Sequence, residues 1–176
     1  DAIDSTDEWI QQRTGIKTRH FAGAEESLVD MAFAAAEIAI KRAGIQATDI
    51  DTVIFSTITY PYQAPSAATE LIARLGNHTA AAFDLSAACA GFSYGVGIAS
   101  DLVRNRISKY VLVIGGEKLS DFTDPTDRAT AFIFADGAGA VVIGQSKEAG
   151  IGPTVWGSTA ETRDAILLTP SYLEYK

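Results

Sequence analysis

Phe83-Asp84-Leu85-Ser86-Ala87-Ala88-Cys89-Ala90-Gly91-Phe92 reads as an apolar strand that ends, passes through small residues and opens a helix. The neighbouring stretches repeat that plan. Upstream, Asp51-Thr52-Val53-Ile54-Phe55-Ser56-Thr57 reads as a buried strand, because its centre is β-branched and uncharged. Pro61 and Pro65 punctuate a loop, Ser66 to Leu75 reads as a helix, and Gly76-Asn77 close it. Ala80 to Leu85 is the strand that leads to Cys89, and Ala90 to Asn105, with few charges until its end, reads as a buried helix. Tyr110-Val111-Leu112-Val113-Ile114-Gly115-Gly116 is the clearest strand in the chain. Strands alternating with helices imply βαβ units, a mostly parallel sheet and right-handed crossovers, hence an α/β fold.

The flanks complete the plan. Ser5-Thr6-Asp7-Glu8 resembles a helix cap, and that helix runs to about Thr14 and stops at Gly15. Ser27-Leu28-Val29-Asp30 is a second capped start, ahead of an alanine-rich helix ending in Lys41-Arg42-Ala43-Gly44. Thr130 to Ala135 and Ala138 to Gly144 read as two strands joined at Asp136-Gly137, a hairpin. The glycines of Asp136-Gly137-Ala138-Gly139-Ala140 join strand to strand, so the segment lacks the strand-to-helix context of a phosphate loop and reads as a tight, closely packed turn. Beyond Gly150 the periodicity is lost. Neither the start at Asp1 nor the run Ser171-Tyr172-Leu173-Glu174-Tyr175-Lys176 carries a boundary signal, and both ends read as cut.

The 176 residues suit about one domain, and 47 % hydrophobic residues supply a sizeable core, which argues against disorder. Fourteen Lys plus Arg against 22 Asp plus Glu leave a net charge of −8, a poor basis for binding nucleic acid through its phosphates. There is no run of about 18 apolar residues for a membrane span and no secretory signal in view. Cys89 is the single cysteine, so no intrachain disulfide forms; with the missing signal this favours a reducing cytoplasm. His20 and His78 leave little material for a metal site and read as surface residues. Arg104, Arg106 and Lys109 cluster at a helix end and read as solvated.

A thiol at the start of a helix meets the helix dipole and unpaired amide hydrogens, which favour thiolate and make a better nucleophile. A backbone amide at such a turn can also serve an oxyanion. Ala87, Ala88, Ala90 and Gly91 leave room for a substrate carbonyl. The plainer alternative is a small buried hydrophobe.

The motif Asp84 to Phe92 resembles the nucleophile segment of β-ketoacyl-acyl carrier protein synthase III, the initiating condensing enzyme of bacterial fatty-acid synthesis. Ser5-Thr6-Asp7-Glu8-Trp9-Ile10 with Arg13-Thr14-Gly15-Ile16 is similar to the family's N-terminal signature. Asp124-Pro125-Thr126-Asp127-Arg128 and Phe134-Ala135-Asp136-Gly137-Ala138-Gly139-Ala140 resemble two more segments, in family order. The resemblance implies a thiolase-like fold, with residues 1–176 as the N-terminal half of an αβαβα sandwich with a mixed, mostly parallel sheet. The first strand and the C-terminal half lie outside the chain. It implies a homodimer without a cofactor, with acyl-coenzyme A and malonyl-acyl carrier protein as substrates. Cys89 would take the acyl group, and decarboxylation of the malonyl thioester would supply the attacking carbanion. The family's catalytic histidine and asparagine lie in His-Gln-Ala-Asn and Gly-Asn-Thr motifs; this sequence has neither.

The resemblance further implies that Trp9 stacks on the adenine of coenzyme A and Arg128 closes the other side, with Arg13 near the phosphates or the carrier protein. Trp9 and Arg13, at i and i+4, share a helix face, where Trp9 as partial core and Arg13 paired with Asp7 or Glu8 is the plainer reading. Ala64 stands where many bacterial members have a bulky Phe walling the partner's primer pocket, which implies room for primers longer than acetyl. Two siblings compete with this reading: a polyketide-type ketosynthase or acyltransferase of the same fold, and a catalytically silent thiolase-like subunit.

Overall fold

A computed structural model describes residues 3–148 and 150–167. Both chain ends, including the run Ser171–Lys176, lie outside the described residues. Helix α1 (Asp7–Thr14) starts on Thr6, whose hydroxyl accepts from the Trp9 amide, and stops at Gly15, left-handed at φ 73°. Helix α2 (Leu28–Ala43) carries a complete capping box between Ser27 and Asp30. Strand β1 (Thr52–Ser56), helix α3 (Ala67–Arg74), strand β2 (Ala81–Leu85), helix α4 (Gly91–Arg104), and strands β3 (Tyr110–Lys118) and β4 (Asp136–Gly144) follow.

The sheet order is β2-β1-β3-β4, with β1 parallel to both β2 and β3, and β4 antiparallel to β3. Strand periodicity sorts the core into two faces. Val53, Phe55, Leu112 and Ile114 pack under α2 and α3, while Ile54, Val111 and Val113 meet Ala99 and Val103 of α4. The fully buried Phe55, Ile54 and Leu71 each contribute roughly 1.5–3 kcal/mol. The crossover from β1 to β2 uses the α3 face. The return from β2 past β1 to β3 uses the opposite face, so both crossovers have one hand, as parallel βαβ units require.

The expected hairpin is not formed. Residues 130–133 are turns, 134 and 135 are irregular, and β4 begins at Asp136 itself. Its partner is β3, from Lys118 opposite Asp136 to Tyr110 opposite Gly144. Phe132, Ile133 and Phe134 have strand propensity, but Asp127 overrides it. The Asp127 carbonyl accepts the amides of Thr130 and Ala131, and its carboxylate accepts the Ala129 amide and the Thr130 hydroxyl. Gly137 and Gly139 therefore lie inside a strand, not a turn, and a Cβ at either would meet nothing within 4 Å. The expected close packing at those glycines is absent.

Helix α4 buries Gly91, Gly95, Ala99 and Val103 against the sheet and Gly97 against Thr154 and Trp156, while its Phe92 is 38 % exposed. Part of the other face carries the aperiodic tail. Trp156 lies 5.3 Å from the Tyr94 ring, the Tyr94 hydroxyl donates to the Gly157 carbonyl, and Arg104 donates to the carbonyls of Ile151 and Gly152. Arg104, expected to be only solvated, thus pins the tail.

Candidate active site

Three loops leave the carboxyl edge of the parallel strands, where open α/β sheets bind ligands. The loop after β2 carries Cys89. Ala88, with φ +43°, makes the sharp turn, and Cys89 follows in a single 3-10 turn, Ala88–Ala90, that runs into α4. A left-handed alanine is held there by its surroundings and points to a constrained loop. Cys89 is exposed on this turn. Gly91 serves packing rather than substrate room: a Cβ there would lie 1.9 Å from the Ser56 hydroxyl oxygen at the end of β1. Helix α4 therefore rests directly on β1 and sets the height of Cys89 above the sheet.

The loop after β1 carries Ala64, exposed beside Gln63 and Pro65. Two carboxylates fix its ends. Glu117 accepts the hydroxyls of Thr57 (3.0 Å) and Thr59 (2.5 Å) and the Ile58 amide (3.0 Å). Asp84 accepts the first two α3 amides, Ala67 at 2.7 Å and Ala68 at 2.9 Å, which caps the positive end of that helix. Tyr60 is bonded to Glu70; burial first, then that carboxylate, pushes its phenol up to about 12.

The third cluster joins α1 to the turns after β3. The guanidinium carbons of Arg13 and Arg128 each lie 5.5 Å from the centre of the Trp9 ring, and buried Phe132 meets that ring edge-on at 5.7 Å. Trp9 is partly buried. Among the described residues, Arg13 has no ion pair with Asp7 or Glu8; Asp7 instead accepts from Gln11. The acidic residues beside Arg128 build its turns. The Thr126 hydroxyl and amide hold Asp124 below the usual carboxylate range, and the Thr130 hydroxyl and Ala129 amide do the same for Asp127.

The structure brings Trp9, Arg13 and Arg128 together and keeps Cys89 and Ala64 in separate loops of the same edge. His20 and His78 are exposed. Sequence patterns missed Glu117, Asp84 and Asp136, whose bonding partners are remote in the chain. Among the described residues no group of three or more His, Cys, Asp or Glu is placed to hold a metal, and no helix is long and apolar enough to cross a membrane. A hollow of about 690 Å³ between the ends of α2 and α3 lies at the opposite edge of the sheet and includes none of these residues.

The family profile described as 3-oxoacyl-[acyl-carrier-protein (ACP)] synthase III matches residues 83–160. The chain is 51 % identical over 176 residues to a β-ketoacyl-[acyl-carrier-protein] synthase III of Streptomyces glaucescens, covering 100 % of this chain and 53 % of that protein. It is 50 % identical over 173 residues to a mycobacterial β-ketoacyl-[acyl-carrier-protein] synthase III of Mycobacterium avium, covering 98 % and 52 %. The priming β-ketosynthase of the R1128 polyketide biosynthetic pathway matches with a TM-score of 0.96 at 41 % identity, over 99 % of this chain and 52 % of that one. A 3-oxoacyl-[acyl-carrier-protein] synthase III of Aquifex aeolicus VF5 matches at 0.81 and 44 % identity, over 84 % and 47 %. The chain spans about half the length of the relatives it matches, and it has their thiolase-like α/β fold.

Proposed function

The chain belongs to the 3-oxoacyl-[acyl-carrier-protein] synthase III family, and from that premise we propose that residues 1–176 are the N-terminal half-domain of a primer-accepting condensing enzyme. The observation that carries this reading is an exposed, single cysteine on a constrained turn at the carboxyl edge. The Cys89 thiolate attacks the thioester carbon of an acyl-coenzyme A, the carbon–sulfur bond to coenzyme A breaks, and its thiolate leaves. Malonyl-acyl carrier protein then loses carbon dioxide. Its carbanion attacks the acyl-cysteine, which releases β-ketoacyl-acyl carrier protein and restores the Cys89 thiolate. The family's histidine and asparagine motifs for the second step are not among these 176 residues, which by themselves are not expected to catalyse condensation. The enzyme works as a cytoplasmic homodimer without a cofactor.

Trp9 and Arg128 suit the adenine of coenzyme A, and Arg13 suits its phosphates. A base between two planes needs about 3.5 Å on each face. The Arg128 guanidinium, 5.5 Å from the indole centre, withdraws when the base enters. Small, exposed Ala64 suits a primer pocket larger than acetyl requires. The likeness to a polyketide priming ketosynthase favours a second reading, in which the same acyl-cysteine starts a polyketide rather than a fatty acid.

Incubating the complete enzyme with acyl-coenzymes A of increasing chain length and mapping the acylated peptide tests both steps of the argument. Acylation on Cys89, including chains beyond acetyl, and none in Cys89→Ser, is the expected result. Acyl label on another residue refutes the nucleophile, and labelling confined to acetyl refutes the Ala64 argument.

A further inference from the structure

Asp136 is the one acidic residue of the Asp136-Gly137-Ala138-Gly139-Ala140 segment, and it ties two other stretches of chain, residues 20–22 and Ser120, to its own. Its Oδ1 accepts the Ser120 amide at 2.9 Å. Its Oδ2 accepts both the Ser120 hydroxyl at 2.6 Å and the Ala22 amide at 2.8 Å. Its own amide donates to the His20 carbonyl at 2.9 Å. Burial pushes the Asp136 carboxyl up, but the bonds from Ser120 and Ala22, with Lys118 nearby, outweigh it and hold the group ionised below the usual range.

The placement matters because of what those stretches carry. Residues 20–22 continue the chain that leaves α1, the helix of Trp9 and Arg13. Asp136 itself ends the run of turns that carries Arg128 and Phe132. The indole and the Arg128 and Phe132 side chains that close on it come from segments more than 100 residues apart, and Asp136 ties those segments together through a bond between positions 114 apart. We propose that Asp136 is a positioning residue for the nucleotide end of acyl-coenzyme A, holding the Trp9 segment in register with the Arg128–Phe132 turns. The inference rests on the reading of Trp9 and Arg128 as the adenine site.

The test uses the complete enzyme and two primers, acetyl-coenzyme A and acetyl-pantetheine, which carries the same thioester without the nucleotide. In Asp136→Asn an amide group must face an N–H in either orientation, since both carboxylate oxygens accept one. The expected result is a KM for acetyl-coenzyme A raised about tenfold, with the KM for acetyl-pantetheine and both kcat values changed less than about twofold. An equal loss on both primers overturns the proposal and leaves Asp136 a merely structural residue. A wild-type enzyme that does not prefer acetyl-coenzyme A overturns the adenine reading and the proposal with it, so the two failures are distinct. Should Asp136→Asn not fold, Ser120→Ala removes only the hydroxyl bond and shifts the primer preference the same way, by about threefold; an unchanged preference there overturns the proposal.

Discussion

Gly91→Ala separates helix propensity from packing at the residue that seats Cys89. Gly91 has φ −58° and ψ −46°, ordinary helical values, so alanine meets no backbone strain and gains up to about 1 kcal/mol of helix propensity. The opposing term is contact. The new Cβ lies 1.9 Å from the Ser56 Oγ and 3.1 Å from the Ser56 Cβ. Rotation of Ser56 can remove the first contact. It cannot remove the second, and Ser56 is only 4 % exposed in a central strand. Overpacking of this kind costs roughly 1–3 kcal/mol, so contact wins and the net loss is about 1–2 kcal/mol.

Ser56→Gly deletes both clashing atoms, and the next neighbour, the Leu85 carbonyl oxygen at 3.7 Å, is in ordinary contact. In that background Gly91→Ala should cost less than about 0.5 kcal/mol or stabilise, a coupling typical of residues in contact. Thermal unfolding of the four proteins in the cycle measures this, and the rate of Cys89 alkylation by iodoacetamide reports whether the loop has moved. An equal cost of Gly91→Ala in both backgrounds refutes the packing argument.

Two further outcomes follow from carboxylates. Glu117→Gln should lower stability by about 1–3 kcal/mol, because in one amide orientation an N–H faces the Ile58 amide and in the other the Thr57 and Thr59 hydroxyls lose the oxygen to which both donate; a melting temperature equal to wild type would contradict it. Asp30 is held below its ordinary value first by the Arg74 guanidinium at 2.5 Å and then by Ser27. A depressed folded-state pKa gives stability that is complete at neutral pH and lost as pH falls below about 4. Asp30→Asn should therefore cost about 1 kcal/mol at pH 7, a value reduced by solvent exposure, and progressively less in acid; a cost independent of pH would contradict the pairing.

Much of the fold was legible because its signals are local. The Ser27–Asp30 box, the glycines after α1 and α2, and the β-branched runs of β1 and β3 act within a few residues. Residues 130–135 misled for the same reason: their apolar composition suggests a strand, while the pairing of β4 is decided by β3 and the turns by Asp127. The strand, turn and helix around Cys89 were legible from neighbouring residues, while its exposure is a property of the fold. Arg13 was ambiguous between an ion pair and the Trp9 ring, because a helix face offers both; the fold brings Arg128 to the same indole and Arg13 lies on the ring.

The sequence by itself determined most of the elements, the α/β class and the family, since propensity, caps and motifs are written in neighbouring residues. Tertiary structure alone decided that Gly91 is a packing glycine, that β4 pairs with β3, and that Glu117, Asp84 and Asp136 hold the loops of the site. Those three carboxylates bind groups 59, 17 and 114 positions away. A hydrogen bond depends on separation in space, and only the folded sheet converts such distances along the chain into about 3 Å.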